Sequence, residues 1–126
     1  MQRRYPREDV EATLERLTEL GYLDDQRATG EFVRSRMARG PIGPRRLRAD
    51  LERRGAPGSS VEAALAEAFP DGDSTVAREA ARRWRLRGGH DVAALARHLE
   101  RKGFSSSSIA RMVEELRSEV SDGSGH

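Results

Sequence analysis

Apolar residues recur along this chain at the three- and four-residue spacings of a helix face, and polar residues fill most positions between them. Val10, Leu14, Leu17 and Leu20 mark a first amphipathic helix over residues 7–20, which Gly21 is expected to end. Phe32 and Val33 mark a second, over about 25–39, with Asp24 and Asp25 as its caps and the Gly/Pro run from Gly40 to Pro44 as its stop. Pro44 opens a third helix at the first helical position, where a missing N–H costs nothing. Leu47 and Leu51 face inward there and Gly55 closes it. Ser59 and Glu62 predict a capping box for a short fourth helix that buries Val61, Leu65 and Phe69. After a break at PDGDS (70–74), three more helices follow. The first, over 74–87, has Val76, Ala80 and Trp84 inward. The second, capped by Asp91 and running to Lys102, has Val92, Leu95 and Leu99. The third, over 107–118, has Ile109, Val113 and Leu116. The closing SDGSGH has no apolar residue and is expected to be disordered.

The pattern repeats. A shift of 48 residues lays LERRG (51–55) on LERKG (99–103), Leu47 on Leu95, Ser60 on Ser108, Val61 on Ile109, Asp25 on Asp73 and Gly40 on Gly88. Helix ends and core positions coincide through three successive helices, the signature of stacked units. VEATL at 10–14 also matches VEAAL at 61–65, so the first helix reads as the last helix of a unit whose first two are absent. The expected organisation is all-α, with tandem three-helix repeats. Residues 1–22 form the last helix of an incomplete repeat, 23–70 and 71–118 the two complete repeats, and 119–126 a tail.

Composition supports helix over sheet, since only 5% of residues are aromatic and 35% are charged. Cysteine is absent, so disulfide and thiol chemistry are excluded. No apolar run approaches a bilayer span and no signal-peptide core follows Met1; a cytoplasmic protein without membrane contact is expected. His90 and His98 are eight apart, too far for adjacent metal ligands on one helix, and they read as surface residues. No phosphate-cradling loop or nucleophile–base pairing is present, so neither cofactor, metal site nor enzymatic activity is expected. Trp84 reads as core rather than as a base-stacking platform, because it shares a face with Val76 and Ala80.

Charge carries the functional signal. Of 23 basic residues 22 are arginine, and nine of them fall between residues 26 and 55 against three acids, Glu31, Asp50 and Glu52. A second block, 78–102, sets eight bases against Glu79, Asp91 and Glu100. The whole chain carries only +2, and folding requires no such clustering. Two basic blocks at matching repeat positions suggest one binding face for an anionic partner. Arg34, Arg36, Arg39, Arg45, Arg46, Arg48, Arg82, Arg83 and Arg85 are its candidate residues.

The string GYLDDQR, then FVRSR, then GPRRLRADLERRG, followed by a diverged second copy, resembles the RecX family, regulators of the bacterial RecA recombinase. The resemblance covers roughly residues 4–117. It implies that the tandem three-helix repeats form a short curved solenoid that binds in the groove of the RecA–DNA filament and inhibits strand exchange, with RecA as partner and single- or double-stranded DNA as a second. Arg34, Arg36, Arg45, Arg46 and Arg48 match positions that are basic in the family pattern. Ala28 and Thr29 follow Arg27 where the family places a bulky aromatic, and Gly30 interrupts the helix. The alternative is a direct DNA binder of helix-turn-helix type. A monomer is the expected state.

Overall fold

The computed structural model describes the backbone of residues 7–124 and the side chains of residues 9–120. Six helices follow one another: α1 (Arg7–Ala38), α2 (Pro44–Arg53), α3 (Gly58–Ala68), α4 (Ser74–Leu86), α5 (Val92–Arg101) and α6 (Ser106–Ser124). No strand occurs among the described residues; a lone bridge joins Pro70 and Gly72. The fold is all-α, built from two three-helix units. In the first, α1 and α2 both pack on α3. In the second, α4, α5 and α6 pack on one another.

Each unit has its own core. Val33, Ile42, Leu47, Leu51, Val61, Leu65 and Phe69 are buried in the first, and Phe32 packs half-buried against them. Ala77, Ala80, Ala81, Leu95, Leu99, Phe104, Met112 and Leu116 are buried in the second, with Val76 touching both clusters. Burying a side chain such as Leu47 or Leu99 contributes about 1.5–3 kcal/mol, so these positions fix the units. Trp84 packs against the second core but is only half-buried. Gly89 lies against its indole: a Cβ at that glycine would meet the ring at 2.4 Å.

The turns repeat as the helices do. After α2, Gly55 (φ +79°) donates its N–H to Glu52, and the Ala56 N–H reaches Leu51. After α5, Gly103 (φ +86°) donates to Glu100, and Phe104 reaches Leu99. Both are left-handed glycine turns closing a ten-residue helix.

The structure departs from the sequence reading on α4, where Ala77 and Ala81 are buried beside Ala80 and the expected Val76 and Trp84 are half-buried, and at four further places. Where two helices are expected either side of Gly21, one continuous helix runs, and Asp24 and Asp25 lie inside it rather than capping it. An interior glycine costs about 1 kcal/mol, which does not by itself stop a helix flanked by good helix formers. Ser59 does not cap α3: its N-cap is Pro57, and Glu62 instead takes a bidentate pair of bonds from Arg48 (3.1 Å each). Met112 is buried in α6 where Val113 is expected, and Val113 is half-buried. α6 continues through Ser124, taking in residues 119–124 of the expected tail, and an ion pair from Arg85 to Glu119 ties this extension to α4. Residues 125 and 126 lie outside the described residues.

Candidate partner-binding surface

Most of the arginines singled out by the sequence are engaged with carboxylates. Asp50 on α2 is the densest point. It is 6% exposed, with the Arg36 guanidinium 2.7 Å from one carboxylate oxygen, and Arg53 and Arg46 (3.6 Å) on the other. Burial alone would raise the pKa of this carboxyl. The bonds from Arg36 and Arg53 and the charges of Arg36 and Arg46 outweigh it, and the net shift is downward. Arg36 and Arg54 also lie over the Phe32 ring, Arg54 at 4.6 Å from its centroid. On α4, Arg82 and Arg83 both bond Glu79, holding it at about 2, while Arg85 pairs with Glu119.

Arg34, Arg39 and Arg45 are different: all three are exposed, and none makes an ion pair with an acid among the described residues. Arg34 folds back along α1, where Gly30 leaves room for it; a Cβ there would sit 3.0 Å from its guanidinium. Thr29, one place before Gly30, is buried.

The two basic blocks meet at a seam between the units. The start of α2 has no side-chain cap; its free N–H groups are taken by the end of α5 instead. The Gly43 N–H donates to the Lys102 carbonyl at 2.7 Å and the Arg45 N–H to the Gly103 carbonyl at 2.9 Å. The Arg46 guanidinium adds a bond to the Arg101 carbonyl at 3.2 Å. The approach is close enough to require glycine on both sides. A Cβ at Gly43 would lie 2.3 Å from the Gly103 carbonyl, and one at Gly103 would lie 2.2 Å from the Arg46 nitrogen. Nearby, Arg83 reaches across from α4, its guanidinium 3.6 Å from the Cβ position of Gly40.

These contacts set Arg45 and Arg46 beside Arg101 and Lys102, and Arg83 beside the Arg39–Gly40 turn. Arg101, Lys102 and Arg87 in turn surround His98. Burial lowers the pKa of this imidazole first, and the charges of Lys102, Arg87 and Arg101 lower it further. Arg87, Arg101, Lys102 and His98 are not among the arginines first singled out. Their place in the second basic block was legible, but the docking of one helix end on another, which brings them to Arg45, was not. No cluster of three or more His, Asp or Glu able to hold a metal occurs among the described residues.

The signature of the second three-helix domain of RecX matches residues 24–65, the span of α1–α3 that carries Asp50 and Arg45. Regulatory protein RecX of Trichlorobacter lovleyi is 33% identical over 122 residues, which cover 90% of this chain and 79% of that protein. The chain belongs to the RecX family. RecX of Pseudomonas fluorescens is 36% identical over 115 residues (89% of this chain, 74% of that protein), and RecX of Thermus thermophilus is 41% identical over 101 residues. This chain spans 66% of the length of the Thermus RecX. No solved structure matches it. No helix among the described residues is long and apolar enough to cross a membrane.

Proposed function

We propose that this RecX-family chain is an inhibitor of the RecA recombinase, without chemistry of its own, that lies in the groove of the RecA–DNA filament and blocks strand exchange. Kinship with proteins named as regulators supports the regulatory role. The observation that carries the choice of face is the seam, where cations of both units converge without matching acids. Arg39, Arg45, Arg87, Arg101 and Lys102 form its core. Arg46 and Arg83 flank it, and Arg34 extends it along α1. Arg36, Arg48, Arg82 and Arg85 serve first as internal struts, because carboxylates already hold them. The mechanism is steric and electrostatic: the basic seam meets acidic protein surface or DNA phosphate in the groove and competes with incoming duplex.

The test is titration of the chain against DNA alone, RecA alone and the assembled filament, with the Arg39→Glu/Arg45→Glu/Arg101→Glu variant alongside. Tight binding to the filament only, lost at least tenfold in the variant and weakened by added salt, is the expected result. Equal binding to bare DNA would replace this reading with the direct DNA binder. Unchanged filament binding by the variant would move the interface off the seam.

A further inference from the structure

Among the described residues, one buried side-chain polar atom has no hydrogen-bond partner: the hydroxyl of Ser60 at the start of α3, in a residue that is 0% exposed. The internal repeat says what is missing. Ser108 stands at the same place in the second unit, equally out of solvent, and its hydroxyl donates to Asp73 at 2.6 Å. The 48-residue shift that carries Ser108 to Ser60 carries Asp73 to Asp25. Asp25 is exposed, on the continuous helix α1, while its neighbour Gln26 lines a groove with Ser60 and Gly30 between α1 and α3.

The difference lies in the segment before each aspartate. Phe69–Asp73 in the second unit reads FPDGD: Pro70 cannot continue the helix, Gly72 takes φ +85°, and Asp73 becomes the N-cap of α4. At the same register the first unit reads GYLDD, with no proline and the glycine three places earlier, and the helix runs through. The lock also differs. Ser105 gives Asp73 two further bonds, from its N–H and its hydroxyl (2.7 Å each), whereas Pro57 stands at that place in the first unit and has neither group. One donor of three remains for Asp25, the orphaned Ser60. On the far side of Gly21, residues 9–20 of α1 are exposed throughout, with Val10, Leu14 and Leu17 about half exposed, and none of them belongs to either core cluster, so neither core fixes the direction of this arm.

We propose that α1 is a hinged helix, exchanging between this straight form and one broken between Gly21 and Asp24, in which Asp25 starts the following helix and accepts the Ser60 hydroxyl as Asp73 accepts that of Ser108. The hinge re-aims the arm of residues 7–20 relative to the basic seam. It does not depend on what the seam binds.

The chain has no cysteine, so Glu15→Cys and Glu52→Cys place two spin labels on the arm and on α2 without background. Pulsed electron–electron distance measurements are then made in that parent and with Asp25→Ala, Ser60→Ala or Gly21→Ala added, circular dichroism confirming that each is folded. Two distance populations are expected in the parent, one of them depleted at least threefold by each added substitution. Asp25→Ala and Ser60→Ala together are expected to do no more than either alone. Identical distributions in all variants would overturn the hinge. So would a loss of stability in Asp25→Ala with unchanged distances, since the carboxylate would then reach Ser60 from within a straight helix.

Discussion

The two three-helix units share a backbone plan and differ in how charge is arranged around the middle helix of each. In the first, the inner side of α2 carries Asp50, buried, with three arginines gathered on it. In the second, the corresponding position of α5 carries His98, and the nearby cations, Arg87, Arg101 and Lys102, have no acid at their centre. The first unit gathers arginines on an acid of its middle helix; the second leaves the cations around its middle helix without one, while Arg78, Arg82, Arg83 and Arg85 of α4 pair with Glu115, Glu79 and Glu119. The cores differ in a compensating way. Phe32 and Ala56 of the first unit correspond to Ala80 and Phe104 of the second, so at this pair of positions each unit has one phenylalanine and one alanine, exchanged. Helical repeats tolerate such exchanges where total volume is kept. What must be kept is the turn glycine and the leucine pair of the middle helix, Leu47/Leu51 and Leu95/Leu99.

The largest expected effect tests that exchange. Phe104→Ala should cost about 3–5 kcal/mol, because the residue is fully buried. Phe32→Ala should cost clearly less, since Phe32 is half-buried. Urea denaturation of the two variants makes the comparison, and equal losses would show that the two units are not built as described.

The turn glycines come next. Gly103→Ala forces a Cβ into the backbone of Arg46 as well as imposing the left-handed conformation, whereas Gly55 has the same φ but open space around it. The conformational cost is about 1–2 kcal/mol for either, and overpacking at the seam should add about 1–3 kcal/mol to Gly103→Ala alone. Differential scanning calorimetry of both variants would measure the gap.

Much of this was legible from periodicity. The buried leucines of α2 and α5 and the Asp91 cap, which accepts the Ala94 N–H at 3.1 Å, follow from spacing and residue type, whereas on α4 only Ala80 of the expected Val76, Ala80 and Trp84 is buried, with Ala77 and Ala81 beside it. Phe104 escaped because it sits in a turn just past a glycine, where no helical period points to it. Met112 and Val113 are adjacent and both apolar, so a pattern alone cannot choose between them. Gly21 was over-read: Gly55 and Gly103 end their helices by taking positive φ, whereas Gly21 keeps helical geometry inside α1. The seam was beyond reach, because a glycine shows that something comes close without showing what.

The smallest effects are those of pH, and they should separate the units. The pKa of His98 is lowered in the folded state, so the unfolded chain binds its proton first. The stability from keeping it neutral is full above its ordinary value near 6.5 and falls as pH drops below that toward the folded value. Asp50 is also lowered, but from an ordinary value of 3.8. Its contribution is full above that value and is lost only as pH falls through the lower folded one. His98→Asn should therefore flatten the fall in stability just below pH 6.5 while leaving the acid limb intact. Asp50→Asn should alter the acid limb and lower stability at neutral pH. Melting temperatures across pH 3–8 would show whether the two limbs separate in this way.

The glycine seam also bears on how such a chain grows by tandem duplication. The position that corresponds to Gly43 in the second unit is Asp91, and its side chain already closes the start of α5. A copied unit appended behind it would bring its own turn glycine against residue 91, where the Gly43–Gly103 joint leaves no room for a β-carbon. Concatenation through this joint therefore begins with Asp91→Gly. The first unit needs no such change to receive a neighbour at its Gly55 turn, which stands open.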